Sequence, residues 1–205
     1  MRPLLATFVL ACVLACAGTA LASYPNTFGP VKGNPANALD KLPIDGYRYD
    51  HSRRCTGHPT PGALAMVSWL EHHSSGVFWG IMRCEKLGPG NFSLHADGRA
   101  IDWHLDGSTK AGQRAARKLI SLLLAPDDVG NEHALARRMG VQEIIWDCRS
   151  WWSGPGGMQK YSVCYDDKGH RKHVDPTTAH HNHIHIGLSR LGARMRTSFW
   201  MHQAP

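Results

Sequence analysis

Acidic residues are in short supply: 16 Asp and Glu stand against 23 Lys and Arg in 205 residues, a formal net charge of +7. Outside residues 4–17 no apolar run approaches the about 18 residues that a membrane-spanning helix requires. No internal repeat or low-complexity tract is visible, which excludes solenoid and fibrous architectures. There is no Cys-x-x-Cys spacing, so a cysteine-based zinc site is excluded as the use of the six cysteines. The basic residues are scattered and carry no nucleic-acid motif. The positive charge therefore points to other anionic polymers rather than to nucleic acid.

The apolar stretch near the start is of another kind. Arg2 precedes Leu4 to Ala17, and Ala20-Leu21-Ala22 supplies the small residues that a signal peptidase reads, so 1–22 reads as a signal peptide cleaved after Ala22. Val9-Leu10-Ala11-Cys12 and Val13-Leu14-Ala15-Cys16 loosely resemble lipoboxes, which leaves a lipid anchor at Cys16 or Cys12 as the alternative. The expected location is thus outside the cell, secreted or wall-associated. Setting Cys12 and Cys16 aside leaves Cys55, Cys84, Cys148 and Cys164, an even number suited to two disulfides in an exported chain. Three pairings are formally possible; Cys55 with Cys84 and Cys148 with Cys164 each close a short loop.

Residues 23–59 are rich in Pro, Gly and Asn and read as an irregular N-terminal arm. Residues 60–205 read as one domain. Thr60-Pro61-Gly62 opens a helix through Ala63 to Leu70, followed by a strand from Val77 to Arg83. Ala100-Ile101-Asp102-Trp103 begins another strand. Ser108 is placed to cap a helix from Thr109 to Leu124, with Ala115, Leu119, Leu122 and Leu123 on its apolar face and Pro126 as its stop. A shorter helix over Glu132 to Met139, capped by Asn131 and ended by Gly140, leads into the strand Val141 to Trp146. Ser150 to Asp175 reads as a long loop. Strands separated by helices without regular alternation predict an α+β fold, a small antiparallel sheet with helices behind it and two disulfides.

Two segments carry chemistry: Ser93-Leu94-His95-Ala96-Asp97-Gly98-Arg99-Ala100-Ile101-Asp102 and His180-His181-Asn182-His183-Ile184-His185. A histidine and a carboxylate from the first, with an imidazole from the second, make a three-ligand set of the kind that holds catalytic zinc and leaves a position open for water. If His183 to Ile186 is a strand, His183 and His185 share one face while Ile184 and Ile186 enter the core. Asp97-Gly98 reads as the turn that brings His95 back beside Asp102.

The pattern Ser-x-His-x-x-Gly-x-Ala-x-Asp followed by His-x-His resembles the zinc peptidases that include D-alanyl-D-alanine carboxypeptidases, lysostaphin-type endopeptidases and the hedgehog domain. Within that group the chain is most similar to the M15 branch, over roughly residues 61–189. The resemblance implies one Zn2+ ion on His95, Asp102 and His185, with His183 as the histidine working beside the bound water. It further implies His180 as an additional active-site histidine and Arg83 as the clamp for a substrate carboxylate. The substrate implied is peptidoglycan peptide, with anionic wall polymers as a possible further partner, and the protein is expected to be monomeric. In one respect the chain departs from the pattern. Many members carry a glutamate base three residues before the last zinc histidine, where this chain has Asn182, so the base role falls to His183, whose ordinary pKa near 6.5 suits it. The resulting expectation is a zinc metallopeptidase of D,D-carboxypeptidase or endopeptidase type. The alternative is a non-catalytic zinc-containing wall-binding or signalling module on the same scaffold.

Overall fold

The computed structural model describes residues 41–203. The expected signal peptide at 1–22, with Cys12 and Cys16, and the first part of the arm lie outside the described residues. The chain forms an α+β fold in which six antiparallel strands make one sheet and helices cover one of its faces.

Pro61 starts α1 (Pro61–His73), where a missing N–H costs no helical hydrogen bond. The edge strand β1 (Val77–Gly80) follows; β2 (Lys86–Gly88) and β3 (Asn91–Phe92) form a separate two-stranded ribbon. Next come β4 (Ala100–His104), α2 (Lys110–Leu124), α3 (Ala134–Met139), β5 (Val141–Trp146) and β6 (Arg149–Trp152). The chain continues through β7 (Gln159–Lys160), β8 (His183–Leu188), α4 (Arg190–Ala193) and α5 (Ser198–Gln203). The strand order is β1-β4-β8-β5-β6-β7, so the last strand in sequence lies in the middle.

Alternation along the central strands divides the molecule. Ile101 and Trp103 of β4, Ile144 of β5, and Ile184 and Ile186 of β8 turn to the helices, where they meet Met66, Leu70, Leu119, Leu123 and Phe199 in one buried core. Ile186 lies opposite both Ile101 and Ile144, which fixes the register of the three strands. A slip by one residue would move every isoleucine out of the core. The other face is left to Asp102, Glu143, His183 and His185.

Four local expectations are corrected. Helix α2 is capped by Thr109, whose side chain accepts from Gly112 N–H, because Ser108 is drawn away into hydrogen bonds with Asp106. Helix α3 starts at Ala134 rather than Glu132, since His133 is left-handed and Asn131 is bound to the Asp127 carboxylate. Strand β1 stops at Gly80 after a register shift, so Arg83 lies beyond the strand end. Ser150 to Trp152 is strand β6 and not loop; Asp147 and Cys148 both have positive φ, making the two-residue turn that joins β5 to β6 as a hairpin.

Both disulfides form as expected, Cys55–Cys84 and Cys148–Cys164. No helix among the described residues is long and apolar enough to cross a membrane.

Behind the sheet, Arg138 Nη2 donates to Asp127 Oδ2 at 2.8 Å, with both side chains buried. Burial works to raise the Asp127 pKa, but Asn131 and Arg138 together hold it below the ordinary value. Asp127→Ala would leave a guanidinium buried without its counter-ion, and is expected to lower unfolding free energy by about 3–5 kcal/mol. Urea unfolding of the variant beside the wild type measures it.

Candidate metal centre

Asp102 and His185 are direct cross-strand neighbours on β4 and β8. Their side chains leave the sheet side by side on the face away from the core. His95 comes from the turn before β4. There Gly98 has φ +70°, and a Cβ on it would lie 2.2 Å from the His58 carbonyl oxygen, so only glycine fits. Thr60, at the start of α1, donates both its N–H and its hydroxyl to the Gly98 carbonyl. The buried Arg99 guanidinium donates to Asp97, to the Leu188 carbonyl and to the Asp50 carbonyl, tying the turn to β8 and to the N-terminal segment. Ser93 accepts from His95 N–H at 3.4 Å. The turn that delivers His95 is thus held from several sides.

His95 Nε2 lies 3.0 Å from His185 Nδ1 and 3.1 Å from Asp102 Oδ1, and His185 Nδ1 lies 3.3 Å from that same oxygen. All three residues are buried. At the roughly 2.0–2.1 Å metal–ligand distances typical of zinc, the corners of a tetrahedron stand about 3.4 Å apart, so one ion fits between these atoms. The proton arrangement points the same way. His95 Nδ1 is 2.6 Å from the Ile81 carbonyl, which can only accept, so Nδ1 carries a hydrogen and Nε2 is the atom turned to the cluster. Burial lowers the His185 pKa to about 4, keeping that ring neutral. Asp102, although burial opposes it, is held well below the carboxylate range by His185 and His95 beside it. Two imidazoles and a carboxylate converging out of water are a donor set for a divalent cation.

His183 shares the face. Its Nδ1 donates to Asn182 Oδ1 at 2.8 Å, which leaves Nε2 as the acceptor, 3.5 Å from Asp102 Oδ1. Asn182 is itself held, donating from Nδ2 to the Thr177 hydroxyl. His180, left-handed at φ 53°, puts its ring 4.7 Å from that of His183 and 5.8 Å from that of His185. Burial, reinforced by those two neighbours, lowers its pKa to about 3. Arg83 reaches the cluster from beyond the end of β1: Nη1 is 2.6 Å from Asp102 Oδ2 and Nε is 3.5 Å from Glu85. In this structure Arg83 therefore braces the outer oxygen of the Asp102 carboxylate. All six residues singled out from the sequence come together at one place, and five of them, His95 excepted, line a cavity of about 700 Å3.

The sequence reading missed three contributors. Glu143 on β5 is buried among apolar neighbours yet faces the cavity, 3.6 Å from His185 Nε2; burial raises its pKa to about 7. An acid within the otherwise uncharged strand Val141–Trp146 was the available signal. Tyr49, from the segment that reads as an irregular arm, donates to Glu143 Oε2 at 3.2 Å and lines the cavity. Asn182 orients His183. Asp147 and Asp175 serve elsewhere: Asp147 meets His181 and Arg171, and Asp175 accepts from the Thr177 and Thr178 N–H groups. Trp151 is core, whereas Trp152 lines the cavity beside Tyr49.

A family model described as VldE, C-terminal domain, matches residues 55–183. That span takes in His95, Asp102, His180 and His183 and ends two residues before His185. No curated protein and no solved structure matches the chain.

Gly98→Ala would force a left-handed alanine against the His58 carbonyl and displace His95. The expected loss is about 1–3 kcal/mol of stability, and any stabilisation by an added divalent metal should shrink with it. Thermal unfolding with and without added zinc would show both; an unchanged unfolding temperature and unchanged zinc response would contradict the role given to this turn.

Proposed function

The chain belongs to the VldE C-terminal domain family, and we propose that it acts as an exported zinc metallopeptidase of the M15 type, hydrolysing amide bonds in bacterial peptidoglycan peptides. The observation that supports this most is the convergence of His95, Asp102 and His185 within 3.3 Å of one another at the edge of a large cavity. Two imidazoles and one carboxylate suit zinc better than magnesium or calcium, which favour all-oxygen shells. When bound, the ion would polarise the scissile carbonyl and acidify a water molecule.

The chain's own groups divide the remaining work. His183 takes the proton: with Nδ1–H fixed on Asn182, its Nε2 is the free acceptor, and the imidazolium formed faces the Asp102 carboxylate. A tetrahedral oxyanion in the cleft would then gain from that positive ring. His180 stays neutral beside it, its Nδ1–H on the Thr178 carbonyl, and offers a second acceptor. Arg83 keeps N–H groups beyond those facing Asp102 and Glu85 to hold a peptide carboxylate. Export fits the two disulfides, which belong to an oxidising compartment, and the positive charge suits an anionic wall.

The alternative, a non-catalytic zinc-containing wall-binding or signalling module, draws on one observation: Asn182 stands where related peptidases carry a glutamate. Digestion separates the two. Purified wall fragments incubated with the zinc-loaded protein should release new peptides or D-alanine, and a chelator should stop it. His183→Ala should keep its zinc and lose about 100- to 10,000-fold in rate. Zinc retained without any product from the wild type would favour the binding module.

A further inference from the structure

One buried ring nitrogen of the cluster lacks a hydrogen-bond partner. His185 is buried, and among the described residues its Nε2 meets no acceptor within hydrogen-bond distance. The nearest acid is Glu143, with Oε1 3.6 Å away on the neighbouring strand. The approach is built into the sheet. Glu143 faces Gly187, two residues beyond His185 on the same face of β8, and a Cβ there would lie 3.1 Å from the Glu143 Cβ and 2.4 Å from Leu94. Glycine makes the space that the carboxylate occupies. On its other side, Glu143 Oε2 accepts from the Tyr49 hydroxyl. Tyr49 in turn is held because Asp50 N–H donates to the Gln142 side chain and the Asp50 carbonyl accepts from Arg99, the same arginine that braces the His95 turn.

We infer that Glu143, oriented by Tyr49, is the positioning residue of the metal centre: it accepts the His185 Nε2 hydrogen and so fixes the tautomer and ring angle that aim Nδ1 at the ion. A carboxylate behind a metal-bound imidazole raises the basicity of the ligand and holds its plane. In the cluster a closure of a few tenths of an ångström turns the 3.6 Å approach into a hydrogen bond. The N-terminal segment thereby acts on the metal centre without touching it, through Tyr49 and then Glu143. This inference rests on the metal reading given above.

The test is zinc affinity, by competition with a chelating dye, in the full chain. Glu143→Leu should weaken zinc about 10- to 100-fold. Glu143→Gln, which restores an acceptor, should recover most of the loss, and a merely space-filling role would not predict that recovery. Tyr49→Phe, which removes one hydroxyl, should weaken zinc in the same direction by less. The cobalt-substituted protein should show a displaced visible absorption band in Glu143→Leu and a near-normal one in Glu143→Gln. Wild-type affinity in both Glu143→Leu and Tyr49→Phe would overturn the positioning role while leaving the metal centre standing. If the wild type itself binds no zinc while Asp102→Ala behaves identically, the metal reading fails and this inference fails with it.

Discussion

Three ligand atoms from distant parts of the chain are held within 3.3 Å of each other, away from water, where one cation would satisfy all of them. Much of the fold can be understood as the means of holding them there. Strand register makes Asp102 and His185 neighbours, and the register is fixed on the opposite face by Ile101, Ile144 and Ile186. The third atom arrives on a turn that only a glycine can make, and that turn is tied to a helix start, to β8 and to the N-terminal segment. Core packing and the geometry of the candidate metal centre are therefore coupled through one pleat: what buries the isoleucines also aligns Asp102 with His185.

Around the cluster the cavity is assembled from parts that are distant in sequence. Tyr49 comes from the segment before α1, Arg83 from the stretch after β1, Trp152 from β6 and His180 from the approach to β8. The disulfides lie among these parts. Cys84 follows Arg83 directly and joins it to Cys55, while Cys148 in the β5–β6 turn is bonded to Cys164 close to Tyr161 and Val163 on the cavity wall. Cross-links so placed limit how far the walls can move apart, which suits a site whose proposed substrate is a polymer-bound peptide.

The legible part of the chain was the part governed by short-range periodicity. Ile184 and Ile186 alternating with His183 and His185 announce a strand with one face in the core, and β8 is that strand. Pro61, Gly140 and Pro126 mark helix ends for reasons of backbone geometry, and they do so in the structure. Where side chains compete for partners, reading failed. Ser108 has the chemistry of a cap, but Asp106 claims its hydroxyl; Asn131 likewise goes to Asp127. For Glu143 the local signal, one acid in a strand, does not say what it faces: its meaning comes from Gly187 and Tyr49, each brought to it by tertiary folding. By composition the segment before α1 reads as an irregular arm, whereas its backbone is captured by Arg99, Arg137 and Arg138 and its tyrosine enters the cavity wall.

The most direct measurement is X-ray absorption at the zinc edge on the purified, zinc-loaded protein. Coordination by His95, Asp102 and His185 predicts a first shell of nitrogen and oxygen alone, at about 2.0–2.1 Å, with the outer-shell scattering of two imidazole rings. A shell containing sulfur, a shell with one imidazole or none, or the same spectrum from His185→Ala would contradict it.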